Sequence, residues 1–337
     1  MRLSVKPAYS SVFIWLLICC AMIFVMAIIG AITRLTESGL SITDWNPVMG
    51  ALPPLNEADW NKAFESYKQI PQYQVLNSHM TLEEFKGIFF WEWVHRLWGR
   101  LIGFVFALPL LVFWLQKKID NQLALKLFAI FALGGLQGFI GWFMVQSGLE
   151  LRTSVSPYRL ALHLGLALLV YALILWQALR LTTLPRHPVI WCLRRHGWSS
   201  LGLLILTILW GALVAGLRAG EAYNTWPLMD GEILPAAAFT LLPQWLNIFE
   251  NLALVQFIHR WLGPLTALAI LTWAFRLYKL DRFWASCLGF MAVLQVVLGI
   301  STVLAHAHIV LATLHQAGAI VLLTLLIINL YRLKRLA

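Results

Sequence analysis

Charge is scarce in this chain: 12% of its 337 residues are charged, while 60% are apolar. Soluble domains carry about 25% charged residues, so a water-soluble globular fold is excluded. Cysteine is almost as scarce, with four residues. Cys19 and Cys20 fall inside the first long apolar run, Cys192 in a predicted loop and Cys287 near one end of the seventh run. None falls in a predicted outer loop, which leaves no pair for an extracytoplasmic disulfide. Also missing is a cleavable leader. Arg2 and Lys6 precede an apolar stretch at 12–32 that has no small-residue cleavage signal and reads as a first span. There is no Arg- and Ser-rich amphipathic presequence either, which favours a bacterial inner membrane over an imported organellar protein.

What is present is apolar length. A spanning helix needs about 20 predominantly apolar residues. Eight runs qualify, at 12–32, 93–115, 124–145, 159–179, 199–217, 250–274, 284–304 and 309–331. With both termini on one side, that side collects fifteen basic residues, among them Lys117, Arg194, Arg195 and Lys334, against Asp120 and Asp281, a balance of +13. The opposite side holds the remaining 10 bases against 13 acids, or −3. The positive-inside rule places both termini in the cytoplasm. The net charge of +10 is thus a topology signal and does not point to nucleic acid. Many of the 17 Trp lie near predicted span ends, as an interfacial belt requires.

The chain also repeats itself. Gly30-Ala31, Gly39, Asp44-Trp45, Gly50 and Pro54 are answered 181 residues later by Gly211-Ala212, Gly220, Thr225-Trp226, Gly231 and Pro235. Glu92-Trp93-Val94-His95-Arg96 is answered 164 residues later by Gln256-Phe257-Ile258-His259-Arg260, because the first outer loop is longer by 17. Leu136-Gln137 answers Leu294-Gln295, and the segment around His163 answers that around His315. Four spans per half give both halves one orientation, related by a pseudo-twofold along the membrane normal. The expected architecture is all-α and integral to the membrane, with eight transmembrane helices in two pseudosymmetric four-helix bundles. The halves are 1–182 and 183–337, joined by a basic segment near 180–198.

His95, His163, His259 and His315 then fall within about two turns of the outer end of an even-numbered span. Ionisable groups in spans are costly and mark function. Two imidazoles facing each other across a bundle suit axial ligation of haem iron. A tetrahedral zinc site would need further Cys or carboxylate donors in both halves. Arg96, Arg260 and Arg100 follow the histidines, either to pair with haem propionates or to snorkel to the headgroups. His306 and His308, in a predicted outer turn, are read as solvated, with copper binding as the alternative; His79, His187 and His196, in loops, receive no function. The halves differ at one position. Glu92 stands three residues before His95 on the same helix face, and its counterpart Gln256 cannot take a proton. Glu92 is either a proton-transfer or charge-stabilising group or an interfacial partner of Arg96 or Arg100. A long outer segment at 33–91, with an amphipathic stretch near 57–69, belongs to the same half and is expected to cap the site or dock a partner.

These residues resemble the haem A synthase family, in its proteobacterial and mitochondrial branch. The resemblance rests on Thr33-Arg34-Leu35-Thr36-Glu37-Ser38-Gly39-Leu40-Ser41, Trp45-Asn46-Pro47, Glu92-Trp93-Val94-His95-Arg96 with Gly99-Arg100, Ala222-Tyr223-Asn224-Thr225-Trp226-Pro227-Leu228-Met229, and His259-Arg260. It covers essentially the whole chain. It implies oxidation of the C8 methyl of haem O to a formyl group, giving haem A for terminal oxidases. It further implies a resident haem b on His259 and His315, haem O bound between His95 and His163, and Glu92 as the essential carboxylate. A haem O synthase and an electron-transfer protein are the implied partners, and a homo-oligomer is compatible with the resemblance. Some members carry a Cys pair in an outer loop; this chain has none there, so a thiol step does not transfer to it. The competing expectations are a non-catalytic diheme b-type electron-transfer protein and a transporter.

Overall fold

The computed structural model describes residues 9–45, 49–150 and 152–335. Arg2, Lys6 and the Asn46-Pro47 pair lie outside the described residues. The chain forms α1 (Ser10–Leu35), α2 (Glu57–Lys68), α3 (Pro71–Leu76), α4 (Leu82–Leu115), α5 (Asn121–Leu149), α6 (Pro157–Arg180), β1 (His187–Val189), α7 (Trp191–Gly216), α8 (Asn247–Glu250), α9 (Leu252–Leu277), α10 (Arg282–Leu304), α11 (Ile309–Arg332) and β2 (Leu333–Arg335). Among the described residues, eight helices are long and apolar enough to cross a membrane: α1, α4, α5, α6, α7, α9, α10 and α11. Each overlaps one of the eight predicted spans. Outward-facing side chains such as Phe104, Leu125, Phe275 and Phe290 are more than 60% exposed. In water such an apolar surface would drive aggregation, whereas in a bilayer it is the lipid-facing coat. The protein is a multi-pass membrane protein.

The helix starts follow local chemistry. Asp120 accepts a hydrogen bond from Leu123 N–H at 2.7 Å to cap α5, and Asn251 accepts from Ala253 and Leu254 N–H at 3.0 and 3.1 Å to cap α9. Asp281 caps α10 by accepting from Trp284 N–H at 3.1 Å. It also accepts from the buried Arg332 at 2.6 Å, which fastens the end of α11 to the start of α10. Two sequence expectations are corrected in this region. Cys192 and His196, assigned to a loop, lie within α7, where His196 Nε2 is 3.0 Å from Ala269 O. His187 lies in β1, which pairs in parallel with β2. The basic residues of this segment lower its hydropathy, but they are compatible with helical backbone, so the helix runs on past its apolar part.

The second span shows the same effect at larger scale. The expected start near residue 93 is really Leu82, because Thr81 and Glu84 form a capping box and Glu83, Glu84 and Lys86 continue the helix through polar sequence. At 1.5 Å per residue α4 is about 51 Å long, well beyond a hydrocarbon core of about 30 Å. His95 lies thirteen residues past the start of α4, whereas His163, His259 and His315 lie six or seven past the starts of their helices.

The chain divides into two compact units, Ala21–Val170, and Met1–Cys20 with Tyr171–Ala337. In the first, α4 packs on α5, and the long outer segment folds into a helical cap. Phe64, Tyr67 and Ile70 of the cap bury against Phe85, Phe89, Leu40 and Val155. The phenol of Tyr67 donates to Gln72 and accepts from Asn77, and Gln72 in turn donates to Glu37 O at 3.0 Å. Burial, partly offset by the Asn77 bond, pushes the Tyr67 phenol above its ordinary value. Phe85 is fully buried at the centre of this cluster. Phe85→Ala should cost about 3–5 kcal/mol, the usual range for deleting a buried aromatic ring. An unchanged thermal midpoint in detergent would show that the cap is not packed this way. In the second unit, α7 packs on α9, α9 on α10, α10 on α11 and α11 on α7, a closed ring of four helices.

Candidate active site

All four predicted histidines sit on helices facing a glycine of a neighbouring helix. A Cβ placed on Gly30 of α1 would stand 3.3 Å from His95 Cε1, and one on Gly141 of α5 would stand 2.8 Å from His163 Cε1. In the C-terminal half, a Cβ on Gly211 of α7 would meet His259 Cε1 at 3.0 Å, and one on Gly299 of α10 would meet His315 Cε1 at 2.9 Å. Each imidazole thus packs against a glycine at a spacing too tight for an ordinary Cβ contact, most so at Gly141 and Gly299. Gly30 and Gly211 were already paired by the repeat, without a role; Gly141 and Gly299 gave no signal before the rings were placed.

His259 and His315 have ring centroids 6.3 Å apart with the rings nearly perpendicular, at 85°. Imidazole nitrogens about 2.0–2.1 Å from a shared metal, each about 1.1 Å from its own ring centre, would put the centroids about 6.3 Å apart. The spacing of the pair is therefore compatible with one iron held between them. The Nδ1 atoms of His95 and His259 are buried and have no hydrogen-bond partner. His95 and His163 are close enough to interact electrostatically. Among the described residues, no group of three or more His, Cys, Asp or Glu could hold a metal ion, so a tetrahedral zinc site lacks its donors there. Gly299→Ala should push the His315 ring out of its notch and lower haem occupancy about tenfold or more, by analogy with the 10–100-fold losses caused by displaced supports of metal ligands. Pyridine haemochrome quantitation reads the change, and full occupancy would refute the notch.

Glu92 is 3% exposed and held by four donors. Ser41 O–H and Ile42 N–H donate to Oε2, each at 2.8 Å. Arg96 donates to Oε1 from Nε at 3.1 Å and from a terminal nitrogen at 2.7 Å. Of the two arginines weighed as partners, Arg96 pairs with it directly. It also donates to Asp44 O at 3.0 Å and Ile42 O at 2.7 Å, and lies 5.5 Å from the Trp45 ring centre. The loop after α1 is thereby tied to the helix that carries Glu92 and His95.

The second half repeats this with one chemical change. Arg260, buried, donates to Tyr223 O at 3.1 Å and Thr225 O at 2.7 Å, and lies 5.5 Å from the Trp226 ring centre. Tyr223, Thr225 and Trp226 follow Ile42, Asp44 and Trp45 by the same 181 residues. Where Glu92 accepts from the Ile42 N–H, Gln256 donates to the Tyr223 carbonyl at 2.9 Å. Arg96 and Arg260 thus contact loop carbonyls, aromatic rings and, for Arg96, Glu92. The sequence reading missed these anchoring duties and the contribution of Ser41 and Ile42, although Ser41 lay inside a quoted motif. Arg96→Leu would leave Glu92 without its buried partner, at a cost of about 3–5 kcal/mol. A lower thermal midpoint than wild type is expected, and an equal one would count against the pairing. His306 and Ala307 take positive φ in the turn before α11, and His308 is the residue from which that helix starts.

Residues 13–327 match the cytochrome oxidase assembly protein family. The chain is 56% identical over 334 residues to a protein of Rhodospirillum centenum named "Heme A synthase", covering 97% of this chain and 89% of that one. Proteins of the same name from Nitrosomonas eutropha and Agrobacterium fabrum are each 48% identical. They cover 92% of this chain and 90% and 87% of their own lengths.

Proposed function

This chain belongs to the cytochrome oxidase assembly protein family, and from that premise we propose that it is a haem A synthase, oxidising the C8 methyl of haem O to a formyl group. The observation that carries the reading is the difference between two otherwise matching sites. Each has a pair of histidines bedded on glycine and a loop-clamping arginine, but only the N-terminal one has a buried carboxylate.

On this reading haem O lies between His95 and His163, with its farnesyl tail in the bilayer. The methyl carbon is oxidised twice, to the alcohol and then to the aldehyde hydrate, which loses water. Each hydroxyl oxygen comes either from water, with two electrons passed to an external acceptor, or from dioxygen. In the dioxygen case two electrons and two protons are supplied from outside, and the second oxygen leaves as water. Glu92, fixed by Ser41, Ile42 and Arg96, accepts a proton from the reacting carbon's substituents or stabilises positive charge there. Arg96 positions that carboxylate and holds the loop that covers it. His259 and His315 would hold haem b, which when bound supplies one-electron transfer to or from an external partner. Arg100, Arg96 and Arg260 are assigned to the haem propionates. Haem O synthase is the proposed supplier of substrate, and a homo-oligomer remains compatible. We place the protein in a bacterial inner membrane with both termini cytoplasmic, supported by the +13 to −3 charge asymmetry. We retain 1–182 and 183–337 as pseudosymmetric halves, supported by the matched loop contacts of Arg96 and Arg260.

The test is to purify the protein from cells that make haem O, extract its haem and identify it by chromatography and mass. Haem A or its hydroxymethyl precursor beside haem b is the expected result. Haem b alone, despite available haem O, would replace this reading with the diheme electron-transfer protein.

A further inference from the structure

Gln137 and Gln295 occupy repeat-equivalent places, and the chemistry above leaves both unused. Each lies four residues before the glycine that seats a histidine, in Gln137-Gly138-Phe139-Ile140-Gly141 and Gln295-Val296-Val297-Leu298-Gly299, so amide and notch share one helix face. Gln137 Nε2 donates to His163 O at 2.9 Å and lies 3.1 Å from the same residue's Nδ1. Gln295 Nε2 donates to His315 O at 2.8 Å and lies 3.2 Å from its Nδ1. One amide therefore grips both the backbone and the ring of one histidine, in both halves. The amide oxygens Oε1 of Gln137 and Gln295 are buried without a partner.

An imidazole that ligates iron through Nε2 must carry its proton on Nδ1, and that N–H needs an acceptor. We propose that Gln137 and Gln295 are the positioning residues of the two haem sites, each presenting Oε1 to the Nδ1–H of a ligating His163 or His315. This rests on the haem-ligand reading above. The last torsion of a glutamine side chain is broad and soft. Rotation about that torsion moves Oε1 toward Nδ1–H once that nitrogen carries the proton. His95 and His259 have no such holder at Nδ1. One histidine of each pair is therefore held by an amide as well as by its glycine notch; of the other two, His259 also bonds the backbone of Thr207. Partners of this kind orient the ligand and set its basicity, which is one of the protein's means of tuning a haem.

The test uses the purified holoprotein as wild type, Gln295→Glu and Gln295→Leu, with the C-terminal haem followed by optical redox titration, electron paramagnetic resonance and haem content. Glutamate, nearly isosteric, offers Nδ1–H a stronger acceptor and should favour the ferric form. A tenfold gain in that preference lowers the midpoint by about 59 mV for a one-electron couple. Leucine should raise the midpoint and weaken haem retention about 10–100-fold. Circular dichroism establishes that both variants fold, and the glutamate variant alone decides the matter if leucine does not. Equal midpoints, spectra and haem content in wild type and Gln295→Glu would overturn the inference and leave the ligand assignment standing. A wild type with no bis-histidine haem signal would overturn the ligand assignment, and this inference with it.

Discussion

Glu92→Gln is expected to abolish haem A formation, by about 10²–10⁴-fold in turnover, while leaving haem b at its wild-type level. The usual objection to such a variant is that a buried, four-fold hydrogen-bonded carboxylate has been removed and the site collapses. The second half of the chain answers it. Gln256 stands at the repeat-equivalent position with Arg260 still clamping the loop and His259 still in its notch. Glutamine is thus compatible with this local geometry, and what the substitution removes is the ability to take a proton and to carry negative charge. Haem O or a partly oxidised haem should accumulate in the purified variant, read by mass. Haem A at wild-type yield would remove Glu92 from the chemistry and reduce it to a partner of Arg96.

His259→Ala and His315→Ala are each expected to empty the C-terminal site, lowering haem b by more than about tenfold and stopping haem A formation as well. Because each ring lies against a glycine, alanine leaves a void and no clash, so the helices should still pack. The outcome that distinguishes roles is the fate of haem O. It should still bind between His95 and His163 and remain unconverted, since on our reading the second site handles electrons and not substrate. Retention of haem b in either variant would refute the axial assignment, whatever happens to activity.

Much of this was legible in the amino-acid order. Eight spans were evident because burial in lipid demands long apolar runs, and all eight recur as helices. The repeat exposed the four histidines and the Glu92/Gln256 exchange, since duplicated segments in register show where chemistry has diverged. The start of α4 was not legible, because a capping box and three charged residues carry the helix through sequence that hydropathy reads as loop. The same blindness placed Cys192 and His196 in a loop when both belong to α7.

What the sequence alone determined was membrane insertion, the number of spans, the duplicated register and the residue types at the centre of each half. These follow from composition and period, which act along the chain. Only the tertiary structure decided what those residues touch: Arg96 on Glu92 and the Ile42 carbonyl, Arg260 on Tyr223 and Thr225, each imidazole on its glycine, and two glutamine amides on His163 and His315. Hydrogen bonds and van der Waals notches act over about 3–4 Å between segments distant in sequence, so they exist only once the helices have packed.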